Sequence, residues 1–386
     1  MAATQIRLDP ARLGSEAETL ARKLRELIVG QDEAIQAIVD VYQTHLTGMN
    51  PPGRPMANLL FLGPTGSGKT RIVEAAAECL LGNAQAIVKI DCGEFQHSHE
   101  IAKLIGSPPG YLGHRETRPA LSQEMLDQYC TPTVRLSFVL FDEIEKASDA
   151  LWNLLLGVLD KAKLTLGDGR RVDFSHTMIF LTSNLGAVEM SALLSPRLGF
   201  AANCHRAEPA GRLESKIGRS AEEAARRKFS PEFINRLDKI VTFKPLGTKQ
   251  LRQILDIELK LVQERIFQAD PERSFIFTAT RPAKELLLQE GTDAKYGARH
   301  LKRAIERLLV EPVSNLIASE QVCGGDSIRV DLDRCLGRLN FTKEAQGLPS
   351  NAMLALAGLT LSVPATSVGK SAPVETVKTW KNAFFK

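Results

Sequence analysis

Apolar positions along this chain follow two rhythms. Between residues 11 and 46 they recur at helical spacing. Leu13, Leu20, Leu24 and Leu27 form one face, and Ala34, Ile35, Ile38, Val39 and Tyr42 form a second. The run Gly48-Met49-Asn50-Pro51-Pro52-Gly53 then breaks the helical pattern. Beyond it, solid apolar runs at Asn58–Leu62, Ala86–Ile90, Phe138–Phe141 and Met178–Leu181 alternate with longer mixed stretches. Lys239–Phe243 is a fifth candidate. Runs without polar alternation suit strands covered on both faces. The alternation predicts an α/β domain over 25–245, built on a doubly wound parallel sheet and preceded by a helical lead over 1–24.

Pro245 and Gly247 mark a boundary. After them the pattern turns helical at Lys249–Ala269, Ala283–Gln289 and Ala298–Ile317, with one strand expected at Ser327–Leu332, paired with Ser274–Thr278. This predicts a smaller, mostly helical domain over 246–340. Residues 341–386 are rich in Ser, Ala, Pro and Thr and read as a loosely ordered tail.

Charge and cysteine usage narrow the function classes. The net charge of +4 over 386 residues is too mild to imply nucleic acid. No basic stretch, helix-turn-helix or RRM-like motif adds to it. The six cysteines are scattered without a C-x-x-C pair, which suits free thiols in a reducing compartment rather than zinc or redox chemistry. The pairs His97/His99 and Cys204/His205 lack partners at metal-ligand spacing. Charged residues within the first thirty positions predict no secretory leader, and no apolar run reaches membrane-spanning length. The expected location is cytoplasmic, with no membrane partner.

Chemistry enters at Gly63-Pro64-Thr65-Gly66-Ser67-Gly68-Lys69-Thr70, which matches G-x-x-x-x-G-K-[ST] between an expected strand and an expected helix, Arg71–Leu81. Glycines let backbone N–H groups close around phosphate oxygens, and the helix N-terminus adds its dipole. Lys69 is expected to reach the β- and γ-phosphates of ATP, and Thr70 to ligate Mg²⁺. Phe138-Val139-Leu140-Phe141-Asp142-Glu143 delivers two carboxylates at the end of an apolar strand, where α/β sheets bind ligands. Asp142 suits the Mg²⁺ and Glu143 the attacking water. Thr182-Ser183-Asn184 ends another buried strand, where Asn184 is a candidate for the γ-phosphate or that water.

These motifs, with four others in the same order, resemble the AAA+ ring unfoldases of the Clp family over about residues 25–335. Ile28-Val29-Gly30-Gln31-Asp32-Glu33-Ala34 is similar to that family's adenine-side segment, so the resemblance implies adenine contacts at Ile28 and Val29. Gly106-Ser107-Pro108-Pro109-Gly110-Tyr111-Leu112-Gly113 resembles its pore loop, with Gly110, Tyr111, Leu112 and Gly113 gripping a polypeptide. Asp142–Ala147 resembles its Walker B segment and Thr182–Gly186 its sensor 1. Phe229–Arg236 resembles the arginine-finger segment, implying that Arg236 reaches a neighbouring subunit's ATP. Tyr296-Gly297-Ala298-Arg299 resembles sensor 2, implying a γ-phosphate contact from Arg299. Leu198-Gly199-Phe200 resembles the tripeptide by which some members dock on a Clp-type peptidase.

The resemblance implies a hexameric ATPase that unfolds or remodels polypeptides. Glu116–Ala120 in place of a Gly-Gly segment and His300 in place of a proline depart from the family pattern. The residues alone leave two other readings open: a nucleic-acid motor or clamp-loader-type ATPase, and an ATP-switched assembly protein that threads nothing.

Overall fold

The computed structural model describes residues 9–107, 119–130, 134–187, 189–190, 210–270, 273–292 and 297–357. The chain divides into two compact units, one of residues 1–250 with 294–297, the other of 251–293 with 298–386.

The first unit is organised by a five-stranded sheet. Its strands are β1 (Ala57–Leu62), β2 (Val88–Asp91), β3 (Ser137–Asp142), β6 (Thr177–Ser183) and β7 (Lys239–Thr242), in the order β2-β3-β6-β1-β7. Every neighbouring pair is parallel. A fully parallel sheet must be covered on both faces, and the solid apolar runs supply that. Alternate side chains point to opposite faces. Leu59 and Phe61 therefore join Phe138, Leu140 and Phe180 in one core, while Leu60 and Leu62 join Val139, Phe141 and Leu181 in the other.

The first core is closed by helices α1 (Ser15–Leu27), α2 (Asp32–Leu46) and α3 (Lys69–Leu81). Leu20, Leu24, Ile35, Ile38 and Val39 are buried at the spacing the periodicity predicts. Its centre holds Phe61 between Phe180 and Phe243, with ring centroids 5.7 and 5.0 Å away. The second core is closed by α4 (Asp149–Lys161), α5 (Ala210–Lys228) and a helical turn at Pro231–Ile234.

Several elements of this unit lie outside the sequence expectation, among them the short helices Ala102–Ile105 and Gln123–Asp127. A small antiparallel hairpin, β4 (Lys163–Thr165) with β5 (Arg171–Asp173), follows α4. The helix α5, whose Ala221 and Ala225 are buried, likewise has no counterpart among the expected elements.

The second unit holds α6 (Thr248–Ala269, entering from the first unit), α7 (Arg281–Gly291), α8 (Ala298–Ile305) and α9 (Glu311–Ala318). The single helix expected over 298–317 instead carries a π turn at Glu306–Val310. Pro312 follows in the first turn of α9. Proline has no N–H to give to the preceding turn, so the hydrogen-bond ladder changes register there. The three-stranded sheet runs β10-β9-β8, with β8 (Ile276–Ala279) parallel to β9 (Ser327–Asp333), the pairing expected. The structure differs from the sequence reading over residues 341–357, while 358–386 lie outside the described residues. β10 (Arg338–Ala345) pairs antiparallel with β9, and α10 (Ser350–Ala357) follows, where a loose tail was expected. Met353 and Leu348 pack with Phe267 and Ile276, and this long-range apolar contact orders a stretch whose local pattern is weak.

Candidate functional site

Sheet register brings the polar residues to one level. β1 and β6 pair Phe61 with Thr182 and Leu62 with Ser183, while β3 and β6 pair Phe141 with Leu181. Asp142, Gly63 and Asn184 therefore leave the C-terminal ends of adjacent strands together, where parallel α/β sheets bind their ligands.

The loop after β1 needs its glycines. Gly66 and Gly68 hold φ of +77° and +100°, a region that side-chain-bearing residues rarely adopt. A Cβ at Gly63 would lie 2.8 Å from the Phe243 carbonyl oxygen. The turn delivers Lys69 as the first residue of α3, only 8% exposed despite its charge. Its Nζ donates to Gly63 O at 2.8 Å, Pro64 O at 3.0 Å and Asn184 Oδ1 at 2.9 Å. A buried ammonium must keep such partners. The ammonium charge and the N-terminus of α3 together make this end of the sheet favourable to an anion.

Asn184 is the hub of the site. Its Oδ1 also accepts from Thr65 Oγ1 at 3.3 Å, and its Nδ2 donates to Glu143 Oε1 at 3.1 Å. Its backbone N–H donates to Glu145 Oε1 at 3.0 Å. One amide thus links the lysine to the carboxylate across two strands.

Glu143 holds φ of +57°, a left-handed conformation that costs a non-glycine residue about 1–2 kcal/mol. Its backbone N–H donates to Thr182 Oγ1 at 3.0 Å, and Lys146 Nζ pairs with its Oε2. That hydrogen bond raises the Lys146 ammonium above its ordinary range. Strain held by specific bonds is characteristic of reacting sites.

Thr182 Oγ1 donates in turn to Asp142 Oδ1, leaving Oδ2 facing Thr70 Oγ1 at 3.5 Å and Lys89 Nζ at 3.7 Å. A hydroxyl and a carboxylate oxygen side by side are the hard oxygen donors that Mg²⁺ prefers. Nearby Cys92 is fully buried; burial, with Asp91 and Asp142 next in effect, pushes its thiol up, so it stays protonated and supplies no nucleophile.

The segment Phe229–Arg236 is built locally. Ser230 caps the turn Pro231–Ile234 by accepting from Phe233 N at 3.2 Å, with Pro231 in the first helical turn. Phe233 is buried and stacks on Phe229 at 5.3 Å, which in turn meets Trp152 edge-on. Arg236 follows. Its guanidinium touches Glu232 at 3.0 Å and Asp160 at 4.0 Å, and its Nε is buried with no hydrogen-bond partner among the described residues.

Arg299 lies exposed in α8 of the second unit. Ile28 is buried in the core with α1 and α2, and Val29 is half-buried beside it. Gly110, Tyr111, Leu112 and Gly113 lie outside the described residues, as do Leu198, Gly199, Phe200 and Tyr296. Sequence reasoning missed two buried polar residues. Gln31 sits behind the phosphate loop, and Asn58 donates from Nδ2 to Leu159 O and Arg236 O, both at 3.0 Å. The local hint for Asn58 was a polar residue opening an apolar run; Gln31, followed by Asp32 and Glu33, carried none. A separate cavity of about 530 Å³, lined by Cys130, Ser137 and His176, lies at the opposite ends of β3 and β6. No helix among the described residues is long and apolar enough to cross a membrane.

Comparison with known proteins agrees with this architecture. Residues 54–240 match the family described as the AAA domain (Cdc48 subfamily), and 246–330 the C-terminal, D2-small domain of ClpB protein. The chaperone ClpB of Bdellovibrio bacteriovorus is 38% identical over 321 residues, 82% of this chain and 34% of that protein. The chloroplastic chaperone ClpC3 of Oryza sativa is 36% identical over 328 residues, 84% of this chain and 33% of that protein. The chain thus spans about a third of the length of the curated relatives it matches. Among solved structures, S. cerevisiae Hsp104 in complex with casein superposes with a TM-score of 0.70 at 29% identity, over 85% of this chain and 53% of that one. A closed state of Hsp104 with ATPγS and casein gives 0.68 at 28% identity, over 85% and 52%.

Proposed function

This chain belongs to the AAA+ ATPases of the Clp chaperone family, and from that premise we propose that it is a ring motor that hydrolyses ATP to unfold or remodel polypeptides. The observation that carries the reading is the convergence of Lys69, Thr70, Asp142, Glu143 and Asn184 at the ends of three adjacent strands. Lys69 and the backbone N–H groups of Gly66–Thr70 bind the β- and γ-phosphates. Ile28 and Val29 face the adenine. Thr70 and Asp142 would hold Mg²⁺, which neutralises phosphate charge when bound. Glu143 takes the proton of the attacking water, with Asn184 fixing the carboxylate's direction through its hydrogen bond to Oε1.

Arg236 completes the site of a neighbouring copy. Its incompletely satisfied guanidinium in the single chain supports that reading. Arg299 contacts the γ-phosphate from the small domain. Shared sites require assembly, so the expected state is a homohexamer. The casein seen with Hsp104 supports a polypeptide substrate, gripped by Tyr111 and its neighbours. An aromatic tip grips many sequences through apolar area. The expected compartment is the cytoplasm.

The test is ATPase rate with and without unfolded protein, alongside the mass of the ATP-bound assembly. Stimulation by unfolded protein and a six-fold mass are expected; stimulation by DNA alone would replace the reading with a nucleic-acid motor. Tyr111→Ala is expected to uncouple the motor, losing unfolding of a stable tagged protein while hydrolysis continues. Leu198-Gly199-Phe200 is proposed to dock on a Clp-type peptidase, each apolar side chain contributing roughly 1.5–3 kcal/mol on burial. Co-sedimentation with that peptidase, lost in Phe200→Ala, checks it; no binding by the wild type removes it.

A further inference from the structure

Gln31 joins three stretches of chain that are far apart in sequence. It is 4% exposed. Its Nε2 donates to Ser67 O at 3.1 Å and to Lys244 O at 2.9 Å, while its Oε1 accepts from Lys244 N at 3.1 Å. Both amide hydrogens and one acceptor position are therefore used. Its own backbone carbonyl accepts from Ala34 and Ile35 N–H at 3.1 Å and so opens α2. The preceding Gly30 makes the turn at φ +74°, where an added Cβ would stand 3.0 Å from Gln250 Cγ. The side chain is thus aimed inward by a turn that admits little else.

We propose that Gln31 is a positioning residue for nucleotide binding, locking the Ser67–Gly68 peptide so that the Gly68 N–H faces the phosphates. The inference rests on the reading of Gly63–Thr70 as the ATP phosphate site. A peptide unit is planar and trans, so its C=O and N–H point in opposite directions. Gln31 holds the Ser67 carbonyl on its own side, which turns the Gly68 N–H to the opposite side of the loop. Gly68, at φ +100°, has no Cβ to fix that peptide by itself. The bonds to Lys244 anchor Gln31 to the chain leaving β7, so the phosphate loop is braced against the sheet rather than against a flexible neighbour. Gln31 directly follows Ile28–Gly30, so the chain on the expected adenine side leads straight into this brace.

The full chain is compared with Gln31→Leu, Gln31→Glu and Lys69→Ala, reading ATP Kd, KM, kcat at saturating ATP, and Tm. Leucine fills the space but leaves the Ser67 carbonyl unheld. Glutamate keeps an acceptor for Lys244 N–H and sets a carboxylate against two carbonyls. Both are expected to raise Kd and KM for ATP by about tenfold, the factor that loss of one hydrogen bond of about 1.4 kcal/mol gives, with kcat within about threefold. Unchanged Kd in either folded variant overturns the proposal, as does a fall in kcat at unchanged KM. Failure of both variants to fold overturns it in favour of a purely structural role. ATP binding that survives Lys69→Ala would instead remove the phosphate-site reading itself.

Discussion

Glu143→Gln separates chemistry from stability at this site. The substitution keeps the side chain's shape, its acceptor for Asn184 Nδ2 at 3.1 Å and the left-handed backbone at φ +57°. It removes the negative charge and with it the ion pair to Lys146. That pair is 32% exposed on the glutamate side and 49% on the lysine side, so solvent screens it and its loss costs at most about 1 kcal/mol. The chemical effect is larger. Removing a positioned general base costs typically 10²–10⁴ in rate, and a hundredfold loss alone is about 2.7 kcal/mol of transition-state stabilisation. The ATP contacts proposed for Lys69, Thr70 and Asp142 do not involve this side chain, so binding should persist. The assay is phosphate release at saturating ATP and Mg²⁺, with ATP Kd by calorimetry and Tm on the same samples. Turnover within about tenfold of wild type would refute Glu143 as the base. A loss of ATP affinity equal to that of Lys69→Ala would show the carboxylate acting on binding instead.

The remaining predictions concern the frame around the site. Glu143→Gly relieves the left-handed strain and should stabilise the chain by up to about 1 kcal/mol while abolishing turnover; a fall in Tm would mean the side chain's bonds outweigh the strain. Gly186→Ala places a Cβ 2.8 Å from Ala221 Cα at a residue with φ +77°, and denaturant unfolding should show a loss of about 2–3 kcal/mol, whereas a loss below about 0.5 kcal/mol would show that α5 yields freely. Asn58→Leu leaves the Leu159 and Arg236 carbonyls without their donor at a residue 1% exposed; denaturant titration should show a loss of about 1–3 kcal/mol, and a neutral result would mean water replaces the amide.

The sequence by itself determined what is encoded over short range. Solid apolar runs marked the three central strands β3, β6 and β1, because a strand buried on both faces needs apolar residues at nearly every position; the edge strands β2 and β7 are covered less fully and carry shorter, mixed runs. The glycines of Gly63–Gly68 marked the tight loop after β1, because a backbone that curls at positive φ tolerates little else. The turn before Arg236 starts at Ser230 and Pro231 by capping chemistry that is also local to the chain. What only the tertiary structure decided depends on partners far along the chain. β10 and α10 carry weak local patterns and form because β9, Phe267 and Ile276 offer them a pairing edge and an apolar surface. α5 is polar over most of its length and is held by buried Ala221 and Ala225 against the sheet. Gln31 meets Ser67 and Lys244 across 36 and 213 residues, and Asn58 meets Arg236 across 178. A glutamine or asparagine in a sequence says only that it can donate and accept; which distant carbonyl it holds is set by the sheet order β2-β3-β6-β1-β7, which no local pattern contains.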